Sequence, residues 1–121
     1  MPDSRGHKVS CSNYQCEIEL TLEILSGKWK ALIIWSLHLH EVIRYNEFRR
    51  LIPSITQKML TQQLKELEKY GIVARTAHPT VPPTVEYRLT DMGRNLIPIM
   101  EAMDHWGKAY VDFYRHDHEG N

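Results

Sequence analysis

The side chains able to do thiol or metal chemistry are few: two cysteines, Cys11 and Cys16, and seven histidines. Four residues separate the cysteines, on segments of unlike character, so they do not make the Cys-x-x-Cys pair of a thiol oxidoreductase. His38 and His40 lie two apart, a spacing that suits strand ligands rather than a helix, and His116 and His118 stand near the C-terminal end. No set has recognisable zinc spacing, and neither a glycine-rich phosphate loop nor a nucleophile–base constellation occurs. The expectation is therefore no enzyme, no metal and no cofactor. Cys16 opens a helical pattern, where a helix N-terminus favours the thiolate, while Glu17 and Glu19 oppose it. Two readings stand for it: a redox-active thiol that Cys11 can resolve once oxidised, or a small buried apolar filler.

A different chemistry lies in residues 56–71, TQKMLTQQLKELEKYG. At 100° per residue, Leu60, Leu64, Leu67 and Gly71 share one narrow sector, and Lys58, Thr61, Gln62, Lys65 and Lys69 lie opposite. Glu66 falls on one flank and Glu68 on the other, so the outward side carries no carboxylate although the helix has two. A plain solvated helix mixes both signs there more often. Gln57, Lys58, Thr61 and Gln62 occupy the first two turns, the part of a recognition helix that meets base edges. Glutamine can hold adenine through two hydrogen bonds, lysine favours guanine acceptors, and a threonine methyl suits thymine. Lys65 and Lys69, further along, are placed for phosphates. Arg49 and Arg50, just upstream, can clamp the backbone, and Arg75, His78 and Thr80 can follow an adjacent minor groove. Lys28 and Lys30 are further candidates for phosphate, or merely solubilise a helix start.

The elements that must carry these residues follow from periodicity. Ile18, Leu22 and Leu25 step by four and three and predict a helix from Cys16 with one buried side, ended by Gly27 as a cap or a close-approach point. GKWKALIIWSLHLH has little polar face and predicts a helix that sits mostly inside. VIRYN (42–46) fits one brief strand, and Tyr45 to Ile52 a short helix with Phe48, Leu51 and Ile52 inward. Pro53 and Ser54 break it, and Thr56 supplies an N-cap hydroxyl. After Gly71, IVARTAH and TVEYRL alternate as two strands around PTVPP, with Val85, Tyr87 and Leu89 on one side. From Thr90 a single long helix is expected, bent at Pro98. Its positions Met92, Leu96, Ile99, Met103, Trp106, Tyr110 and Phe113 form a heptad seam, more than packing on its own domain requires. The fold class is thus mainly α with a small β-hairpin wing: a winged helix-turn-helix, which places its second helix in the major groove.

Bulk numbers agree. At 121 residues with 42% hydrophobic and 25% charged content, the chain reads as one soluble globular domain. The division expected is a flexible arm over 1–15, the domain with a C-terminal dimerisation helix over 16–115, and a tail over 116–121. Net charge is zero, but residues 44–75 hold seven basic against three acidic side chains, a local +4 between flanks of −1 and −3. No apolar run reaches the ~18 residues of a membrane span and no secretory leader is visible, so no membrane partner and a cytoplasmic location are expected. Two cysteines are too few for a disulfide framework.

The ordered set of Cys16, GKWK, RYNEFRRLIPSITQKMLTQQLKELEKYGIV and PTVPPTVEYRLTDMGRNLIPIMEAMDHWG resembles the HxlR-type subfamily of MarR-like winged-helix transcription regulators, over residues 16 to about 107. The resemblance implies a homodimeric repressor or activator that binds double-stranded DNA and dimerises through its N- and C-terminal helices. That makes Ile99, Met103, Trp106, Tyr110 and Phe113 the expected dimer interface. In several members the cysteine matching Cys16 senses quinones, aldehydes, hypochlorite or disulfide stress. The chain departs from the group's pattern in having Glu17 where Cys-Pro is frequent, and Thr84 where many relatives carry a basic wing residue. The rival is a winged-helix adaptor for protein contact without sequence-specific DNA binding. The sequence names no small-molecule effector.

Overall fold

The computed structural model describes residues 16–119 of the chain, with the side chains of residues 16–117. Cys11 and the arm lie outside the described residues. Nine elements follow in order: α1 Glu17–Leu25, α2 Trp29–His40, β1 Ile43–Arg44, α3 Tyr45–Leu51, α4 Gln57–Lys69, β2 Val73–His78, β3 Thr84–Leu89, α5 Asp91–Arg94 and α6 Ile97–Glu119. The wing is a three-stranded antiparallel sheet in the order β1-β3-β2 rather than a bare hairpin. Val73 faces Leu89 at its base and His78 faces Thr84 near its tip, while Ile43 pairs with Tyr87 on the other edge.

One core joins the helices to the sheet. Ile33, Ile34 and Leu37 of α2 meet Phe48 of α3, the three leucines of α4, and Tyr87 and Leu89 of β3. Phe48 packs edge-on against Tyr87, ring centroids 6.0 Å apart. Burial of each α4 leucine contributes roughly 1.5–3 kcal/mol. The helix ends are chemically specified. Thr56 accepts the Met59 N–H through its hydroxyl at 3.1 Å, an N-cap that stabilises by about 1 kcal/mol. At the other end Gly71, at φ +79°, donates to the Glu68 carbonyl, and Ile72 donates to Leu67. This is the paired bonding of a Schellman stop, which needs a left-handed residue at that point. α1 stops at Ser26, extended and donating to the Glu23 carbonyl at 3.3 Å, and Gly27 follows at φ +86° with open space around it, so it serves the turn after the helix and not a close approach. Glu41, at φ 67° and ψ −56°, forms a tight γ-turn in which Val42 N–H reaches the His40 carbonyl at 2.7 Å. That conformation is strained for a side-chain-bearing residue, and it turns the chain so that Ile43 enters the core.

Several expectations are corrected. α2 is less enclosed than its composition suggests, with Leu32 and Leu39 exposed. Leu51 points outward, because the α3 stripe that reaches the core is Phe48 and Ile52. The apolar side of α1 is not buried: Ile18 is 70% exposed, Leu22 is exposed too, and α1 has no buried residue. The last segment is two helices, not one bent at Pro98. Thr90 caps α5 through Gly93 N–H at 3.0 Å, the chain turns at Asn95 and Leu96, and α6 begins at Ile97. Pro98 therefore sits in the first turn of a new helix, where its missing donor has no partner to lose. α6 runs on through Glu119, into the segment read as a tail.

Candidate nucleic-acid interface

α4 presents the arrangement read from its spacing. Leu60, Leu64 and Leu67 are buried, and Gln57, Lys58, Gln62, Lys65 and Lys69 are exposed. Thr61 is half-buried and its hydroxyl is already engaged, 2.6 Å from the Tyr45 phenol. The Tyr45 phenol also lies 3.3 Å from the Gln57 carbonyl, and the first turns of α4 are thus tied to the start of α3. Sequence reasoning missed Tyr45, because no periodicity marks a residue that reaches across to another helix.

Between α4 and the sheet lies a cleft of about 420 Å³, walled by Tyr45, Thr61, Lys65 and Glu68 on one side and Arg75, Val85 and Tyr87 on the other. It brings the middle of α4 and Arg75 of the wing together. Burial pushes the Tyr87 phenol up from its ordinary value, opposed by its hydrogen bond with Arg75. The two acids of α4 are both accounted for. Glu66 is held by Lys30 of α2 at 2.6 Å, and Glu68 shares the cleft with Lys65 and Arg75.

The supporting residues divide. Arg49 and Arg50 are exposed at the end of α3, Arg50 only 3.9 Å from Glu47 in a loose, solvated pair. Arg75 is exposed. His78, in contrast, bonds the Glu86 carboxylate at 3.0 Å, and Arg44 stands 3.7 Å from the same group. The hydrogen bond from His78 first, then the charges of His78, Arg44 and Arg88, hold the Glu86 carboxyl below its ordinary range against a desolvation that raises it. Thr80 donates to the Pro82 carbonyl at 2.7 Å and so folds the wing tip on itself. The tip offers Val81, 98% exposed, rather than charge. Lys30 is corrected outright as a phosphate contact: it is 5% exposed and points into the body. Lys28 lies over the Trp29 ring at 4.6 Å.

On the far side of the molecule, Ile99, Met103, Trp106, Tyr110 and Phe113 are all uncovered, Trp106 65% exposed. Trp106 and Tyr110 stack with centroids 5.2 Å apart, and Tyr110 leads on to Phe113 at 6.0 Å. Cys16 is exposed at the N-cap of α1, which removes the buried-filler reading. Among the described residues, no three metal-ligating side chains are grouped to hold an ion. No described helix is long and apolar enough to cross a membrane.

A family model described as HxlR-like helix-turn-helix matches residues 24–114. The chain belongs to the HxlR-like helix-turn-helix family. It is a transcriptional regulator with a DNA-binding winged helix-turn-helix. Among the relatives of this HxlR-like chain, the HTH-type regulator YdeP of Bacillus subtilis is 48% identical over 97 residues, 80% of this chain and 75% of that one. YybR of the same organism is 50% identical over 97 residues, 80% of this chain and 77% of that one. Among solved structures, the redox regulator HypR in its reduced form superposes with a TM-score of 0.77 at 47% identity, covering 83% of this chain and 98% of that chain. The reduced form of the B. subtilis transcriptional regulator YodB gives 0.69 at 37% identity, covering 77% and 91%. The family match begins at residue 24, eight residues after Cys16.

Proposed function

We propose that the chain acts as a homodimer that reads a palindromic operator through α4, and that oxidation of Cys16 changes its affinity for that operator. The observation that carries this reading is a pairing of two surfaces. The outward side of α4 offers glutamines and lysines with its acids held aside, and α6 offers an uncovered aromatic seam that a second copy can cover. A two-fold axis through that seam sets two recognition helices about one helical turn, ~34 Å, apart. Gln57, Lys58, Thr61 and Gln62 read bases, while Lys65, Lys69, Arg49, Arg50 and Arg75 position the backbone. His78 and Thr80 act by shaping the wing.

The exposed thiol of Cys16, and the likeness to structures described as redox regulators, support the second half. In the step envisaged, Cys16 and a second thiol, Cys11 or a cysteine of the other copy, lose two protons and two electrons to an oxidant such as diamide and form one S–S bond.

Selection of duplexes from a random-sequence pool, followed by binding over a salt series, separates this reading from an adaptor role. An operator-reading dimer binds the selected duplex far above random duplex, with a steep negative slope in log salt. Gln62→Ala weakens the selected site by ~1–3 kcal/mol and relaxes its sequence, whereas Lys65→Ala weakens all duplexes alike and flattens the slope. Equal losses without any change in sequence preference defeat the base-reading assignment. For the thiol, diamide treatment followed by a shift assay must affect wild type and spare Cys16→Ser.

A further inference from the structure

Among the described residues, the one buried charged side chain is Lys30. It stands in an unfavourable place on two counts. Its ammonium is removed from water, and it lies in the first turn of α2, where the helix dipole repels a cation. Its Nζ lies 2.6 Å from Glu66 Oε1, whose side chain is 41% exposed. Glu66 thus sits at the edge between the body and the outer side of α4, one turn below Gln62 and next to Lys65.

A bare carboxylate at that position would oppose the approach of a polyanion. Glu66 lies on the same flank as a base-reading glutamine and beside a lysine placed for phosphate. The other acid of the helix, Glu68, already shares its cleft with Lys65 and Arg75. Glu66 has its cation on α2, outside the DNA-facing set. We propose that Lys30 is a positioning residue for DNA binding: its ammonium holds and neutralises the Glu66 carboxylate, so that α4 meets a polyanion without an uncompensated negative charge. This rests on the DNA-binding reading of α4 and deepens it, since it makes the electrostatics of the recognition side depend on a residue the DNA never touches.

The alternative is that the pair is a strut that only fixes the angle between α2 and α4. The two accounts differ in what removal of the acid does. Wild type, Lys30→Met, Glu66→Gln and the double variant are compared for binding to duplexes that wild type has enriched from a random-sequence pool, across a salt series. Circular dichroism and thermal melts establish that each is folded. Lys30→Met is expected to lose affinity roughly tenfold, the loss shrinking as salt screens the repulsion. Glu66→Gln is expected to bind as wild type or tighter, and to restore binding when combined with Lys30→Met. Lys30→Gln carries the same expectation where Lys30→Met does not fold. A strut predicts that both single variants weaken binding alike, and that outcome overturns the proposal. So does a folded Lys30 variant that binds as tightly as wild type. Wild type failing to prefer any duplex overturns the operator reading along with it; wild type binding while the Lys30 variants match it overturns this inference alone.

Discussion

α4 and α6 are both amphipathic and both carry apolar residues at three-and-four spacing, yet the chain treats them oppositely. The leucines of α4 are sealed by α2, α3 and the sheet, and its polar side faces out. α6 keeps only its start, Ile97 and Met100, in the core. From Glu101 through Asp117 every residue is exposed except half-buried Gly107. The difference is one of reach: 23 residues make a rod of about 34 Å, longer than the small body beneath it can cover. Apolar periodicity therefore states that a stripe will be covered, not by what. In α4 the cover is the chain itself, and the surface left for a partner is cationic and amide-rich. In α6 the surface left over is aromatic and uncovered.

The largest expected effect tests the sealed half of that contrast. Leu64→Ala should lower the unfolding free energy by about 2–5 kcal/mol in urea titrations, while Met103→Ala, on the open stripe, should leave the stability of the isolated chain nearly unchanged. Similar losses at both sites would erase the distinction. Next in size, Trp106→Glu should weaken self-association by at least about 2 kcal/mol, seen as a shift toward monomer in sedimentation equilibrium at constant protein concentration. An unaltered mass would take the seam out of the interface. The smallest effect concerns the wing, whose His78 and Thr80 are spent internally where the outward lysines of α4 are exposed. Glu86 is an acid whose folded value is depressed below its ordinary 4.5, so its stabilisation is complete above that pH and fades as pH falls through the lower folded value. His78→Ala should accordingly melt lower than wild type near neutrality, the gap closing on acidification past the carboxylate range. A gap that stays constant with pH would show that His78 supports the wing by packing alone.

Much of this was legible in the chain because the rules involved are local. Leucine spacing, Thr56 and Gly71 delimit α4 within sixteen consecutive residues, and the alternation of TVEYRL places Tyr87 and Leu89 inward. What escaped was decided at a distance. Lys30 is buried because Glu66, far along the chain, meets it. Leu51 faces out because Ile52 takes the place in the core. VIRYN reads as a brief strand from its residues, but its pairing with the free edge of β3, which makes the sheet three-stranded, is announced by no pattern within it. The break before α6 had a visible marker in Pro98, but its meaning depended on whether that proline lay inside a helix or at its beginning. The candidate base readers were legible as a set. The loss of His78 and Thr80 to internal bonds was not, because the sequence marks neither the Glu86 carboxylate nor the Pro82 backbone carbonyl as their partner.

The corner at Thr90 and Gly93 has a consequence for transmission through the molecule. The Thr90 hydroxyl donates to the carbonyl of Gly71 at 2.6 Å, its amide donates to that of Ile72 at 3.0 Å, and a methyl group at Gly93 would collide with the latter oxygen. The residues just after α4 and those leading to α6 are thereby bonded to each other and closely packed at one corner. Moving this corner away from the foot of α4 has to break those two hydrogen bonds.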